Sequence, residues 1–335
     1  MLGSTPAVLV SGDRPTGKLH LGHWVGSLRD RVRDQETYRC YFLVADLHFL
    51  TTHAARAREA AGNVAEMVLD WLSVGIDPAR ATFVRQSGVP EISELAVVLS
   101  MLCPVARARR IPALKEKLQE LGAGDKYSLG LLAYPVLMAA DLLAFKASRV
   151  PVGADQVGHV ELARELAGRF NRLYGDYFPE PQVAAREAPR LVGTDGFRKM
   201  SKSLDNAIYL SDDAETVARR VRAMYTDPKR VRSDIPGTVE GNPVFEYHDA
   251  FNPDRAEVED LKVRYRAGRV GDVEVKEKLT RALNGFLEPI RARRRSWEAR
   301  LPDVRALLEE GTAAARPTAQ ETLQGALRRM AFTSS

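Results

Sequence analysis

Ala7-Val8-Leu9-Val10-Ser11-Gly12-Asp13-Arg14-Pro15-Thr16-Gly17-Lys18-Leu19-His20-Leu21-Gly22-His23 is the stretch whose reading sets the architecture. Ala7 to Ser11 is a short Val-rich run that ends in a Pro/Gly turn, and from Leu19 to Gln35 the apolar residues Leu21, Trp24, Val25, Leu28 and Val32 recur at helical spacing. This reads as strand, loop, helix. The alternation continues in strand 38–45, helix 55–73, strand 82–85 and helix 92–102, then a long apolar helix over 128–145, strand 150–152 and helix 156–172. Strands that alternate with helices predict a doubly wound parallel α/β sheet, whose ligands bind at the carboxyl ends of the strands. From about residue 206 the pattern is helical only, over 212–224, 254–267, 273–287 and 291–311, with Ser211 as the cap of the first of these.

Composition narrows the class. The chain has 335 residues, 45% hydrophobic and 28% charged, enough for two domains with a real core and too apolar for a disordered chain. Two cysteines, Cys40 and Cys103, make neither a disulfide framework nor a zinc cage. The apolar stretch 7–10 is too short for a signal-peptide core, and 129–145 is interrupted by Gly130, Pro135 and Asp141, so a cytoplasmic protein without a membrane span is expected. The balance of 49 Lys+Arg against 44 Asp+Glu says little, but the basic residues cluster at 107–117, 219–232 and 291–295, which permits a nucleic-acid partner.

Two loops carry the chemistry. Pro15 to His23 joins the first strand to the first helix, where Gly12 and Gly17 let the backbone turn and the helix N-terminus offers N–H groups to an anion. His20 and His23 lie three apart on one face and can both donate to that anion; a metal-ligand pair, for which a third ligand is missing, or two surface histidines are the alternatives. The second loop, Arg198-Lys199-Met200-Ser201-Lys202-Ser203, is doubly basic and hydroxyl-rich. It is either a solvated surface loop or a mobile one that brings Lys199 and Lys202 onto the phosphates of a nucleotide.

His20-Leu21-Gly22-His23 together with Lys199-Met200-Ser201-Lys202-Ser203 resembles the HIGH and KMSKS signatures of class I aminoacyl-tRNA synthetases. Tyr134-Pro135-Val136-Leu137-Met138-Ala139-Ala140-Asp141 and Val152-Gly153-Ala154-Asp155-Gln156 look like the tryptophanyl branch. Where tyrosyl enzymes carry polar groups for a phenol, Met138 offers a thioether and Asp141 a carboxylate, which suits an indole ring and its single N–H donor. Asp141 reads as an unpaired acid in an apolar segment, because the nearest base, Lys146, is off its helical face.

The resemblance implies a Rossmann-like catalytic domain over 1–205, with 97–125 as a dimer and acceptor-stem region, and a helical domain over 206–335 on the anticodon side. It implies that tryptophan attacks the α-phosphorus of ATP to give tryptophanyl-adenylate, which is then transferred to tRNA(Trp). ATP with Mg²⁺ is a substrate, the metal riding on the phosphates with no protein metal site, and L-tryptophan, tRNA(Trp) and a second copy of the chain are the partners. By the same resemblance His20 and His23 donate to the phosphates, Gly22 lies flat under the adenosine, and Lys202 neutralises the leaving pyrophosphate with help from Lys199 and Lys117. Gly12, Arg14, Pro15 and Thr16 line the nucleotide mouth. Gly153, Ala154 and Asp155 take the ribose, Arg190 lies by the adenine, and Met200, Ser201 and Ser203 complete the loop. Asp141, Met138, Tyr134, Gln156, His48 and Val10 surround the amino acid, with Tyr134 and Gln156 on its ammonium. Val10 stands where bacterial tryptophanyl enzymes commonly have an aromatic, which loosens the pocket on that side. A tyrosyl enzyme, or a tryptophan-binding regulatory protein that has given up aminoacylation, are the other readings.

Overall fold

The computed structural model describes residues 6–122, 124, 126–185 and 191–332. Five strands, β1 (Val8–Asp13), β2 (Arg39–Val44), β3 (Ala81–Arg85), β4 (Arg149–Val152) and β5 (Gln182–Ala185), form one sheet in the order β3-β2-β1-β4-β5, with every pairing parallel. Four of them follow the alternation read from the sequence. The fifth is too short and too small in its side chains to stand out as a strand. The order reverses between β1 and β4, so a crevice opens at the carboxyl end of β1, where the Pro15 to His23 loop begins.

Successive residues of a strand face opposite sides of the sheet, and that divides the molecule. Leu9, Phe42 and Val44 face a core built with Met67, Val68 and Trp71 of helix Ala57–Val74. Val10, Tyr41 and Leu43 face the other core, with helices Leu129–Ala144 and Val157–Tyr174. The phosphate-type signature therefore hangs from a strand that has the predicted amino-acid helix on one face only.

Three expectations for the helical part need correction. The first helix is capped by Asp213, whose carboxylate accepts the N–H of Thr216, and not by Ser211, because Ser211 and Asp212 belong to the preceding turn. The break expected between 287 and 291 is absent: one helix runs Asp272–Glu298 with Pro289 inside it. Proline leaves the carbonyl four residues back unpaired, and here that residue is Gly285, exposed like Pro289 itself, so water can satisfy it. The next helix accordingly runs Leu301–Arg329, not 291–311.

Helix Leu301–Arg329 returns to the sheet and covers its β3 edge. Gly311 meets the strand so closely that a Cβ there would lie 2.3 Å from the Phe83 carbonyl oxygen. Beside it, Thr312 Oγ1 accepts the Arg85 N–H at 2.8 Å and donates to the Leu308 carbonyl at 2.6 Å.

Half of the basic cluster at 291–295, Arg291 and Arg294, is spent inside the molecule, while Arg293 and Arg295 stay exposed. Arg294 is 5% exposed and donates to Asp70 (2.5 Å), Glu66 (2.8 Å) and Glu298 (2.7 Å), while Arg293 donates to the Ser73 carbonyl and Arg291 to Asn284 and the Asp212 carbonyl. Asp70 has no exposed surface, and its second oxygen accepts the Leu19 N–H at 2.6 Å, one residue before His20. A helix some 220 residues downstream is thus bonded, through one carboxylate, to the backbone of the first signature. Removing one member of a buried ion pair leaves the other uncompensated. Arg294→Met is expected to lower stability by about 3–5 kcal/mol, and Asp70→Asn added to it should restore most of the loss, as read in a double-mutant cycle by denaturant unfolding.

Candidate active site

Leu19 and His20 pair with the segment that follows the second signature: Leu21 N–H donates to the Ile208 carbonyl (2.9 Å), Leu210 N–H to the Leu19 carbonyl (3.0 Å), and His20 bridges Tyr209. This backbone pairing brings together two loops that lie 180 residues apart. The Gly22 N–H points at Met200 Sδ (3.3 Å), and Lys202 Nζ donates to Thr16 Oγ1 (3.1 Å). A Cβ on Gly22 would sit 3.0 Å from the His20 ring, so the flat position assigned to Gly22 is one where a side chain would crowd the imidazole. Gly17, at φ +100°, makes the turn that a side chain would strain.

The electrostatics of this space are one-sided. His20 is held down to about 2 by burial and by the neighbouring His23, Lys202 and Lys199, and His23 to about 4 by burial, against the pull of Asp13. Lys202 is pushed down to about 8 by burial, with Asp70 and Asp13 drawing it back up. Both imidazoles are therefore neutral at pH 7, and His20 Nδ1 is buried without a hydrogen-bond partner among the described residues. An unpartnered polar nitrogen among groups that discourage one another's protonation is a site made for an anion.

Asp13, at the end of β1, is kept charged beneath this site. Burial raises its pKa, but Arg31 (2.6 Å), His23 and the Trp71 indole N–H (3.1 Å) more than reverse that. Arg31 is itself 2% exposed and also reaches Ser11 Oγ and the Gly12 carbonyl. Arg14 is exposed at the mouth, and Pro15 is fixed by Asn63, which donates to its carbonyl at 3.2 Å. Lys117 lies on helix Pro112–Glu120 with its ammonium on Glu120 (2.8 Å), near enough to His53 to disfavour a second positive charge there.

On the other face of the sheet, Tyr134, Met138 and Asp141 fall at i, i+4 and i+7 on helix Leu129–Ala144 and share one side. Asp141 is not the unpaired acid expected from its helix. Its Oδ2 lies 2.8 Å from His48 Nε2, and its Oδ1 accepts from Gln86 Nε2 at 2.7 Å. Both partners come from other elements, His48 from helix Asp46–His53 and Gln86 from the end of β3, which spacing along one helix cannot reveal. Gln86 is fully buried, and its oxygen accepts the N–H groups of Leu47 (3.1 Å) and His48 (3.3 Å). It was missed by sequence reasoning, although its place directly after a strand is where ligand-facing residues gather. Asp46 is structural, tied to Arg85 and Ser87. The Tyr134 hydroxyl meets His159 Nε2 at 2.9 Å, and Val10 is buried on this same face.

Gly153 opens the turn Ala154–Gln156; a Cβ on it would come within 2.8 Å of Asp155 Oδ1, and Gln156 donates to Asp155 Oδ2 at 3.0 Å. Ser203 lies in the turn Lys202–Leu204. Arg190 lies outside the described residues.

Comparison with known proteins agrees with this arrangement. Residues 3–288 match the family described as tRNA synthetases class I (W and Y). The chain is 57% identical over 318 residues to a tryptophan–tRNA ligase of Treponema pallidum, covering 94% of each chain, and 51% identical to one from Borreliella burgdorferi, covering 95% of this chain and 91% of that one. A Campylobacter jejuni tryptophanyl-tRNA synthetase solved with ADP and tryptophan superposes with a TM-score of 0.84 over 97% of this chain and 99% of that one, at 31% identity. With the two signatures in contact at the switch point of a parallel sheet, the chain belongs to the class I tRNA synthetases for tryptophan and tyrosine.

Proposed function

We propose that this chain is a tryptophan–tRNA ligase: it activates L-tryptophan with ATP to tryptophanyl-adenylate and pyrophosphate, and transfers the tryptophanyl group to tRNA(Trp). The observation that carries the activation step is the contact of the two signatures, which sets His20, His23, Lys199 and Lys202 around one space with a nitrogen in it that has no partner among the described residues.

The amino-acid carboxylate is ionised at neutral pH, so no protein nucleophile or base is needed. Catalysis reduces to aligning the carboxylate with the α-phosphorus and stabilising charge that moves onto the leaving pyrophosphate. His20 and His23 enter this reaction neutral, each donating one N–H, and Lys202 supplies the counter-charge. Magnesium bound with ATP would lower the charge that these residues have to offset. Tryptophan lies against Met138 with its indole N–H on Asp141, whose oxygens each keep a lone pair beyond those used by His48 and Gln86. Tyr134 and Gln156 hold the ammonium. Gly12, Arg14, Pro15 and Thr16 border the nucleotide, with Gly153, Ala154 and Asp155 at the ribose.

The exposed cations Arg109, Arg110 and Lys115 face an acceptor stem, and Arg219, Arg222, Lys229 and Arg232 of the helical part face the anticodon side. Arg230 is left out of that surface, because it is buried on Asp272 and on the carbonyls of Ser233 and Val270. Val97, Met101 and Val105, 57%, 72% and 59% exposed on helix Pro90–Ser100, just past its end and at the start of helix Val105–Ala108, form the face on which two copies of the chain pair. The enzyme works in the cytoplasm.

Pyrophosphate exchange should respond to tryptophan and not to tyrosine or phenylalanine. Lys202→Ala should lower the exchange rate by about a hundred- to a thousandfold, whereas Asp141→Ala should chiefly raise the KM for tryptophan, on the order of a hundredfold; exchange driven by tyrosine would overturn the assignment. Because free Lys202 titrates at about 8, kcat/KM for ATP should fall as pH rises through that value, while kcat, set in the complex where bound phosphates keep the proton on, should stay flatter. Lys202→Arg should abolish that limb of the profile. In sedimentation at micromolar concentration the protein should run as a dimer and Met101→Glu as a monomer.

A further inference from the structure

The second signature is held at its base by one buried amide. Asn206 is 3% exposed, and its side chain makes three hydrogen bonds. Oδ1 accepts the Ser201 N–H at 2.7 Å, and Nδ2 donates to the Lys199 carbonyl at 3.3 Å and to Asp195 Oδ2 at 3.1 Å. Its own carbonyl accepts the Thr194 N–H at 2.9 Å. Asp195 in turn faces the N–H groups of Phe197 and Arg198, and the Gly193 N–H donates to the Arg198 carbonyl at 2.7 Å. The amide lies so close over Gly193 that a Cβ there would sit 2.1 Å from Nδ2, which leaves room only for glycine.

We propose that Asn206 is a positioning residue for activation. By fixing the peptide groups on both sides of Met200, it sets the directions in which Lys199 and Lys202 leave the loop. An amide is the one side chain that meets this requirement: it must accept from one backbone N–H while donating to a carbonyl and to a carboxylate, which neither a carboxylate nor a hydroxyl can do at once. Met200, 3% exposed and under the Gly22 N–H, seats the tip of the loop; Asn206 seats the base. The tryptophan pocket, on Asp141, His48 and Gln86, shares none of these bonds.

The inference rests on the activation chemistry assigned to Lys199 and Lys202, and the test separates the two. Exchange kinetics, tryptophan binding without ATP, and thermal unfolding are measured for the wild type, Asn206→Ala, Asn206→Asp, Gly193→Ala, Lys202→Ala and the Asn206→Ala/Lys202→Ala double variant. Wild-type protein that exchanges nothing with tryptophan overturns the activation reading itself. Given wild-type exchange, Asn206→Ala is expected to lower kcat by about ten- to a hundredfold with tryptophan affinity unchanged. Asn206→Asp, which keeps the Ser201 bond but sets a carboxylate against Asp195, and Gly193→Ala, which displaces the amide, should follow it. In the Lys202→Ala background the Asn206→Ala loss should largely vanish, since the amide acts through that ammonium. The proposal is overturned by wild-type exchange in folded Asn206→Ala, by an equal loss of tryptophan affinity, or by losses that multiply in the double variant. Should Asn206→Ala fail to fold, Gly193→Ala and Asn206→Asp carry the same comparison.

Discussion

Groups that would bind a polyphosphate are gathered out of water before it arrives, and most of this structure serves to hold them there. Burial is the largest cause of the lowered pKa of His20, His23 and Lys202, and the nearby cations add to it at the two imidazoles. What opposes their separation is backbone pairing of 19–21 with 208–210 and a buried acidic floor, Asp13 on Arg31 and Asp70 on Arg294. The floor offsets enough of the positive field to keep Lys202 mostly charged near neutrality without quenching the attraction for an anion. The site is thereby ordered before the substrate enters, so its donors need little rearrangement when the phosphates arrive.

How much of this was legible in the sequence depends on whether the partner lies nearby along the chain. The strand, loop and helix around His20 could be read because the pattern is local, and the two signatures because their residue types are specific. Asp141 stood out in its apolar helix, yet its partners did not, since His48 and Gln86 arrive from two other elements. For the same reason the arginines at 291–295 read as a nucleic-acid surface when Arg294 is in fact buried on Asp70 and Glu66. The gap read between 287 and 291 is helix, because an exposed glycine four residues before Pro289 makes the missing hydrogen bond harmless.

The two faces of the sheet keep two kinds of recognition apart. On the proposed reading, phosphate chemistry hangs from the carboxyl end of β1 over the Trp71 side, and the indole pocket is assembled beneath helix Leu129–Ala144 on the other. Only the crevice between β1 and β4 is common to both. Residues that tune one substrate can therefore change without disturbing the other, and a pocket with Val10 at its wall is compatible with an unaltered phosphate site.

The close seat of Gly311 and Thr312 on β3 bears on how the chain is made. Until helix Leu301–Arg329 emerges, the outer edge of β3, with the Arg85 N–H that Thr312 later takes, is an open template for another strand. The nascent sheet must therefore wait, almost complete, for the segment that closes it, and it is most exposed to pairing with other unfinished chains during that interval. Chaperone demand should thus fall on late synthesis, after the catalytic residues are already in place.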